Sequence, residues 1–200
     1  INDILDFSKI DSGKMEIVPV KYDLSSLLHD LINMVISKAQ SKGLELKVEV
    51  DRTLPSWLIG DDVRIRQILL NVLNNAIKYT EKGIVTLKVS GRKEEQNVIL
   101  HFEVIDTGIG IKEEDIPKIF QAFQKVDETH TRHIEGTGLG MSITTQLLNL
   151  MDSHLEVKST YGEGSNFYFD LKQEVVDDTE IGDFTSRIRS TVSYEYNQKV

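Results

Sequence analysis

Apolar residues recur at three- and four-residue steps in three segments, and this spacing predicts three amphipathic helices. The first helix follows a cap at Asp23 or Ser25 and stops before Gly43. The second opens at 60–62, and the third runs from about Leu139 to Met151. Their inward-facing residues are predicted as Leu24, Leu27, Leu28, Leu31, Ile32, Val35, Ile36 and Ala39, then Val63, Ile68, Leu69, Val72, Leu73, Ala76 and Ile77, then Ile143, Leu147 and Leu150.

Strand patterns lie between these helices. Apolar and polar residues alternate over 44–50, a short apolar piece surrounds 57–59, and Pro19 favours an edge position for the stretch before it. Two hairpins are predicted, one joining 85–89 to 98–105 and one joining 155–160 to 166–171. Since hairpins require antiparallel pairs, we expect an α/β two-layer sandwich in which three helices cover one face of a mixed, largely antiparallel sheet.

Both ends of the chain depart from this pattern. Residues 1–10 form a rough helical stripe that stops at 11–13, which indicates the tail of a helix whose partners are missing. Residues 174–200 are polar, acidic at first and without a sustained period, so we expect a linker or C-terminal extension outside the core. The domain itself is predicted over 15–173.

Composition restricts the possible ligands. The 200 residues are 40% hydrophobic and 28% charged, as in one globular domain, and contain no cysteine for disulfides or thiolate metal sites. The formal net charge of -9 argues against binding to nucleic acid or anionic lipid. An acidic chain that binds a polyphosphate needs a metal ion, backbone N–H groups and a few placed cations.

Three segments carry such groups. Asn71, Asn75 and Lys78 share a helix face, where amide oxygens suit Mg²⁺ and the lysine suits a phosphate, although a solvated polar face is the simpler interpretation. Asp106 ends an apolar strand just before a glycine turn. A buried carboxylate in this position can accept a hydrogen bond from an adenine amine, although a strand that ends in a glycine turn is also common without any ligand. The glycine-rich 136–140 precedes a helix, where N–H groups favour phosphate or simply form a turn.

In this order, the segments NVLNNAIKYT, DTGIGI, IFQAFQKVD and GTGLGMSI resemble the N, first glycine, F and second glycine boxes of sensor histidine kinases. INDILDFSKIDSGKMEI resembles the end of the dimerisation and phosphoacceptor hairpin of that family, which would then occupy 1–14. The resemblance covers nearly all of 1–171. It implies the ATP-binding fold shared with gyrase and MutL, with a flexible ATP lid over 124–136.

The resemblance also implies the ligands, ATP and Mg²⁺, and a role for each matching residue. Asn75 with Asn71 would hold the metal, and Lys78 and Arg132 would approach the phosphates. Tyr79 would pack on adenine, and Asp106 would accept a hydrogen bond from the adenine amine. Phe120 and Phe123 would anchor the lid, and Glu135 stands where many members have glycine. The remaining binding positions that the resemblance implies are Gly108, Gly110, Ile111, Gly136, Thr137, Gly138, Leu139 and Gly140.

The expected activity is transfer of the ATP γ-phosphoryl group to a histidine. None of the five histidines follows the acceptor pattern, so the acceptor is expected upstream of this chain. Gyrase-type relatives carry a water-activating glutamate where Asn71 stands, so hydrolysis ranks below phosphotransfer. The other alternative is a non-catalytic nucleotide-binding interaction module.

The expected partners are the dimerisation helix of the parent protein and a response regulator or receiver domain. Nucleic acid and membrane contacts by this chain are not expected. A cytoplasmic location is expected for the chain, and the parent could carry a membrane anchor elsewhere.

Overall fold

A seven-stranded sheet forms one layer of the structure, a computed structural model that describes residues 2–122 and 137–188. The strands are β1 (Val20–Asp23), β2 (Glu45–Val50), β3 (Trp57–Gly60), β4 (Ile84–Glu94), β5 (Asn97–Asp106), β6 (Glu156–Thr160) and β7 (Gly164–Val175). They follow the order β1-β3-β7-β5-β4-β2, with β6 pairing to β7. Only β2 and β4 pair in parallel among these strands, so the predicted mixed, largely antiparallel sheet is confirmed.

Helices cover one face of this sheet. Every second residue of β5 is buried and the residues between are only half-buried, as expected for a strand with one covered face. The predicted two-layer α/β sandwich is therefore confirmed. The helices are α1 (Asn2–Asp11), α2 (Leu24–Ser41), α3 (Asp62–Tyr79), α4 (Ile116–Ile119) and α5 (Gly140–Leu150), with a 3-10 turn over Glu113–Asp115.

The two long helices begin where carboxylates cap them. Asp23 accepts hydrogen bonds from the backbone N–H groups of Ser25 and Ser26 at the start of α2. Asp61 accepts the N–H of Arg64 at the start of α3 and also that of Val18, which ties the incoming chain to the same carboxylate. Such caps satisfy N–H groups that have no partner within the helix.

The predicted inward positions of Val63 and Leu150 are wrong, because the structure leaves these residues 57% and 46% exposed. In α3, Ile65 takes the buried position instead of Val63, and the apolar stripe continues through Ile68 and Leu69. Each helical residue advances about 100° around the axis, so Val63 lies about 200° from Ile65 and faces solvent.

The segment after β7 differs from the expectation that it lies outside the core. Ile181, Phe184 and Ile188 are all at least 92% buried and join the main hydrophobic cluster. The N–H of Ile181 donates to the carbonyl of Leu54 at 2.7 Å, and the N–H of Ser56 donates to the carbonyl of Thr179 at 2.7 Å. Residues 176–188 therefore pack against the domain as part of its fold.

Among the described helices, none has the length and apolar character needed to cross a bilayer. The predicted lid over 124–136, with Phe123, lies outside the described residues. Phe120, its other predicted anchor, is half-buried against the core.

Phe184→Ala tests whether the segment after β7 supports the fold. Removing a fully buried aromatic ring should lower the free energy of unfolding by about 3–5 kcal/mol. Urea denaturation followed by circular dichroism measures this loss. Val176→Ala is the control from the same segment, because Val176 is 38% exposed and should change stability by only about 0.5 kcal/mol. Equal effects of the two variants would contradict the packing described here.

Candidate functional site

A cleft of about 390 Å³ lies between α3, the N-terminus of α5 and the loop that follows β5. Ten of the residues singled out in the sequence line it together, although they come from three distant segments. These are Asn71, Asn75, Lys78, Tyr79, Asp106, Gly110, Ile111, Thr137, Gly138 and Gly140. The fold therefore brings most of the predicted binding residues to one surface.

Two predicted residues of the described part of the chain, Gly108 and Leu139, are not part of this lining. Gly108 lies against the end of α3, and Leu139 is buried in the core with 1% exposure. The Leu139 side chain therefore packs in the core cluster. Arg132 and Gly136 lie outside the described residues.

The carboxylate of Asp106 is the buried polar group at one end of the cleft. It ends β5 and is 7% exposed. Burial raises the pKa of Asp106, while hydrogen bonds from the backbone N–H groups of Gly108 and Ser165 oppose that rise. The Gly108 bond spans 2.9 Å to Oδ1. A half-satisfied carboxylate of this kind can accept a further donor from a ligand in the cleft.

The loop after Asp106 requires glycine for steric reasons. A Cβ atom at Gly108 would lie 2.4 Å from the carbonyl oxygen of Tyr79, and one at Gly110 would lie 2.1 Å from that of Thr160. Gly110 also has a φ of +66°, in the left-handed region that glycine favours. The loop is thus pressed between the end of α3 and the hairpin of β6 and β7.

The C-terminus of α3 is held by side chains and by this loop. Lys42 donates to the carbonyls of Ile77 at 2.7 Å and Lys78 at 2.9 Å, which suits a cation at the negative end of a helix. The N–H of Ile109 donates to the carbonyl of Tyr79. These bonds fix the last turn of α3 relative to Asp106.

Asn71, Asn75 and Lys78 present polar groups to the cleft along α3. Asn71 lies about 12 Å from Tyr79 along the helix axis, given the rise of an α-helix. Its amide nitrogen donates to the carbonyl of Gly140 and to Oγ1 of Thr144, both at 3.3 Å. Its Oδ1 atom is then the oxygen that can accept from, or coordinate, a ligand. Burial lowers the pKa of Lys78, whose Nζ lies 5.0 Å from the centre of the Tyr79 ring.

The residues around α3 fit a magnesium ion by their chemistry. Amide oxygens, water and substrate phosphates are the oxygen ligands that Mg²⁺ accepts, and it seldom needs a cage made only of protein groups. The described part of the chain contains no cluster of three or more His, Cys, Asp and Glu residues that could hold a metal. The amide oxygens of Asn71 and Asn75, which line the cleft, fit such an ion when it arrives with a polyphosphate.

Several cleft residues were not identified from the sequence. Tyr161, at the turn after β6, and Met141, on α5, supply apolar surface, and Phe167 comes from β7. Ser165 lies opposite Asp106 in the pairing of β5 with β7 and supplies one of the donors to its carboxylate. Only the strand register reveals this pair, and no motif marks it.

Residues 60–175 match a family described as histidine kinase-, DNA gyrase B-, and HSP90-like ATPase. The chain therefore belongs to this family and is an ATP-binding domain.

Among similar curated proteins, hybrid signal transduction histidine kinase B of Dictyostelium discoideum is 40% identical over 86% of this chain. Sensor histidine kinase GacS of Pseudomonas protegens is 41% identical over 86% of it. The chain spans only 9% and 19% of these two relatives. A crystal structure of full-length ShkA in complex with AMPPNP matches 89% of the chain, and 36% of its own length, with a TM-score of 0.76 and 31% identity. Within its family, the chain corresponds to the ATPase domain of sensor histidine kinases.

The raised pKa of Asp106 predicts a pH dependence of stability. The folded chain binds this proton more tightly than the unfolded chain, in which an aspartate has a pKa of about 4. As pH rises from there through the raised pKa, the wild type should lose unfolding free energy relative to Asp106→Asn, which cannot titrate. Urea titrations of both proteins across this range measure the difference. A difference that stays constant, or grows in favour of the wild type, would contradict the assignment.

Proposed function

We propose that the cleft binds Mg-ATP and that the parent protein transfers the γ-phosphoryl group to a histidine on a helix upstream. One observation carries this proposal. A single cleft combines a buried carboxylate, Asp106, with the amide and ammonium groups of α3, of which Asn71 lies about 12 Å from Tyr79 along the helix axis. The first suits a base with an exocyclic amine, and the second suits metal-bound phosphates.

At the base end, Asp106 accepts a hydrogen bond from the adenine amine, and Tyr79 packs against the ring. The bonds from Gly108 and Ser165 hold the carboxylate in place before a ligand arrives. A charge-assisted bond formed in a dry, preorganised pocket is stronger than one formed in water.

At the phosphate end, Asn71 and Asn75 hold the magnesium ion, and Lys78 approaches the phosphates. The ion neutralises charge on the phosphates when it is bound. The backbone of 137–140 and the N-terminus of α5 supply N–H groups, which favour phosphate oxygens. Arg132, Ile111 and the remaining glycines of the two glycine-rich loops complete the proposed binding set.

In the transfer step, a histidine nitrogen forms a bond to the γ-phosphorus while the bond to the β–γ bridging oxygen breaks, and ADP leaves. The neutral nitrogen is itself the nucleophile, so the domain needs no general base and acts by positioning and by stabilising charge. An asparagine at position 71 favours transfer over hydrolysis, because an amide cannot accept a proton from an attacking water.

The proposed partners follow from the same reaction. Residues 1–14 would end the helical hairpin that carries the acceptor, and 15–173, with 176–188 packed against them, would form the ATP-binding domain. One relative is named a hybrid histidine kinase, which supports a receiver domain as the next acceptor of the phosphoryl group. We place this domain in a cytoplasmic part of the parent.

Calorimetric titration with a nonhydrolysable ATP analogue, with and without Mg²⁺, tests the site. Asp106→Asn should weaken binding by about 1.5–3 kcal/mol, because a charge-assisted hydrogen bond to the base is lost. Asp178→Asn is the control, since its side chain is 91% exposed on the segment after β7 and the charge change is the same. Unchanged affinity in Asp106→Asn would refute the adenine assignment, and binding independent of Mg²⁺ would refute the metal assignment.

Transfer is tested with ATP labelled in its γ-phosphate and a helical hairpin carrying an acceptor histidine. Acid-labile, base-stable label on the hairpin is expected, and it should require Mg²⁺. Nucleotide binding without transfer would favour the non-catalytic interaction module. Steady phosphate release without the hairpin would favour a gyrase-type ATPase. The hairpin with its histidine replaced by glutamine is the control.

A further inference from the structure

Helix α1 docks against the domain beside the phosphate end of the cleft. Phe7 and Ile10 pack against the core cluster. The carboxylate of Asp6 accepts a hydrogen bond of 2.8 Å from Nε2 of Gln67 and lies 3.8 Å from the guanidinium of Arg64, both on α3. These contacts join α1 to the helix that carries Asn71 and Asn75.

A second carboxylate of α1 reaches the glycine-rich loop. Oγ1 of Thr137 donates to Oδ2 of Asp3 at 3.2 Å. The same Thr137 oxygen accepts a hydrogen bond from the N–H of Leu139 at 3.3 Å. Leu139 is the residue immediately before α5. The Asp3 carboxylate thus orients a hydroxyl group that occupies a backbone donor at the N-terminus of that helix.

Asp3 also lines the cleft itself, with Thr137, Gly138 and Asn71. Its negative charge therefore lies in the space that the proposed function assigns to phosphates. Like charges at close range repel, and the repulsion is stronger where protein shields the groups from water. A phosphate that approaches the Leu139 N–H must also displace the Thr137 hydroxyl.

We propose that Asp3 couples the docking of α1 to the phosphate end, so that docked α1 opposes triphosphate binding and bound triphosphate releases α1. This inference rests on the proposed function and adds a regulatory contact to its site. Coupling between two binding events is reciprocal, because each changes the free energy of the other by the same amount. Asp3 is then a positioning residue that acts through Thr137 and through its charge.

The test compares binding of AMPPNP with binding of adenosine, both by calorimetry. Asp3→Ala should tighten AMPPNP binding about fivefold, the lower end of the usual coupling range for a half-exposed contact. Adenosine affinity should stay unchanged, because adenosine has no phosphate to repel. Asp3→Asn, which keeps an acceptor for Thr137 but loses the charge, should also tighten AMPPNP binding.

Asp11→Ala is the matched control, because Asp11 is the exposed last residue of the same helix. It removes one negative charge without touching the cleft and should leave both affinities unchanged. Amide hydrogen exchange measures the reciprocal effect, the release of α1 by bound triphosphate. AMPPNP should speed exchange in α1 of the wild type, and adenosine should not.

The outcomes separate this inference from the proposed function. Wild type that fails to bind AMPPNP would refute the proposed function itself. If the wild type binds AMPPNP and Asp3→Ala binds it with equal or lower affinity, the inference alone would be overturned. Tighter binding of AMPPNP and adenosine alike would also overturn it, because the effect would then not depend on phosphate.

Discussion

The buried carboxylate of Asp106 at the end of the central strand β5 organises the structure around it. A charge in that position needs hydrogen-bond donors, and the backbone N–H groups of Gly108 and Ser165 provide them. The first donor requires a tight loop in which a Cβ atom at Gly108 would lie only 2.4 Å from the carbonyl oxygen of Tyr79 on α3. The second donor requires β7 to lie beside β5 in a single register. Helix, loop and hairpin are therefore positioned by one group.

That arrangement has opposing effects on stability and binding. Burial raises the pKa of Asp106 and so disfavours the ionised form in the folded chain. The same burial leaves the carboxylate able to accept a strong hydrogen bond from a ligand. Groups with perturbed pKa values are common at functional sites, and hydrogen bonds at the end of α3 support the fold around this one. Lys42, which caps two carbonyls of α3, is part of this support.

Periodicity was sufficient to predict the main elements, because Leu69, Leu73 and their neighbours repeat with the helical period and face one core. Asp106 was recognisable since its strand is apolar up to that residue. Ser165 was not recognisable from the sequence, because its role depends on strand register, which local patterns do not specify. Residues 176–188 were assigned to an extension because polar residues dominate there, although Ile181, Phe184 and Ile188 have spacings of three and four that fit one apolar stripe.

The two ends of the cleft differ in how completely their groups are arranged before a ligand arrives. At the base end, backbone donors hold Asp106, and the steric limits at Gly108 leave little room for movement. At the phosphate end, side chains hold one another: Asn71 contacts Gly140 and Thr144, and Thr137 occupies the Leu139 N–H. Exchanging side-chain contacts requires less reorganisation than moving a strand. Under the proposed function, binding of the base would thus be nearly rigid, while binding of the phosphates would change side-chain contacts, including that of Thr137 with Asp3 on α1.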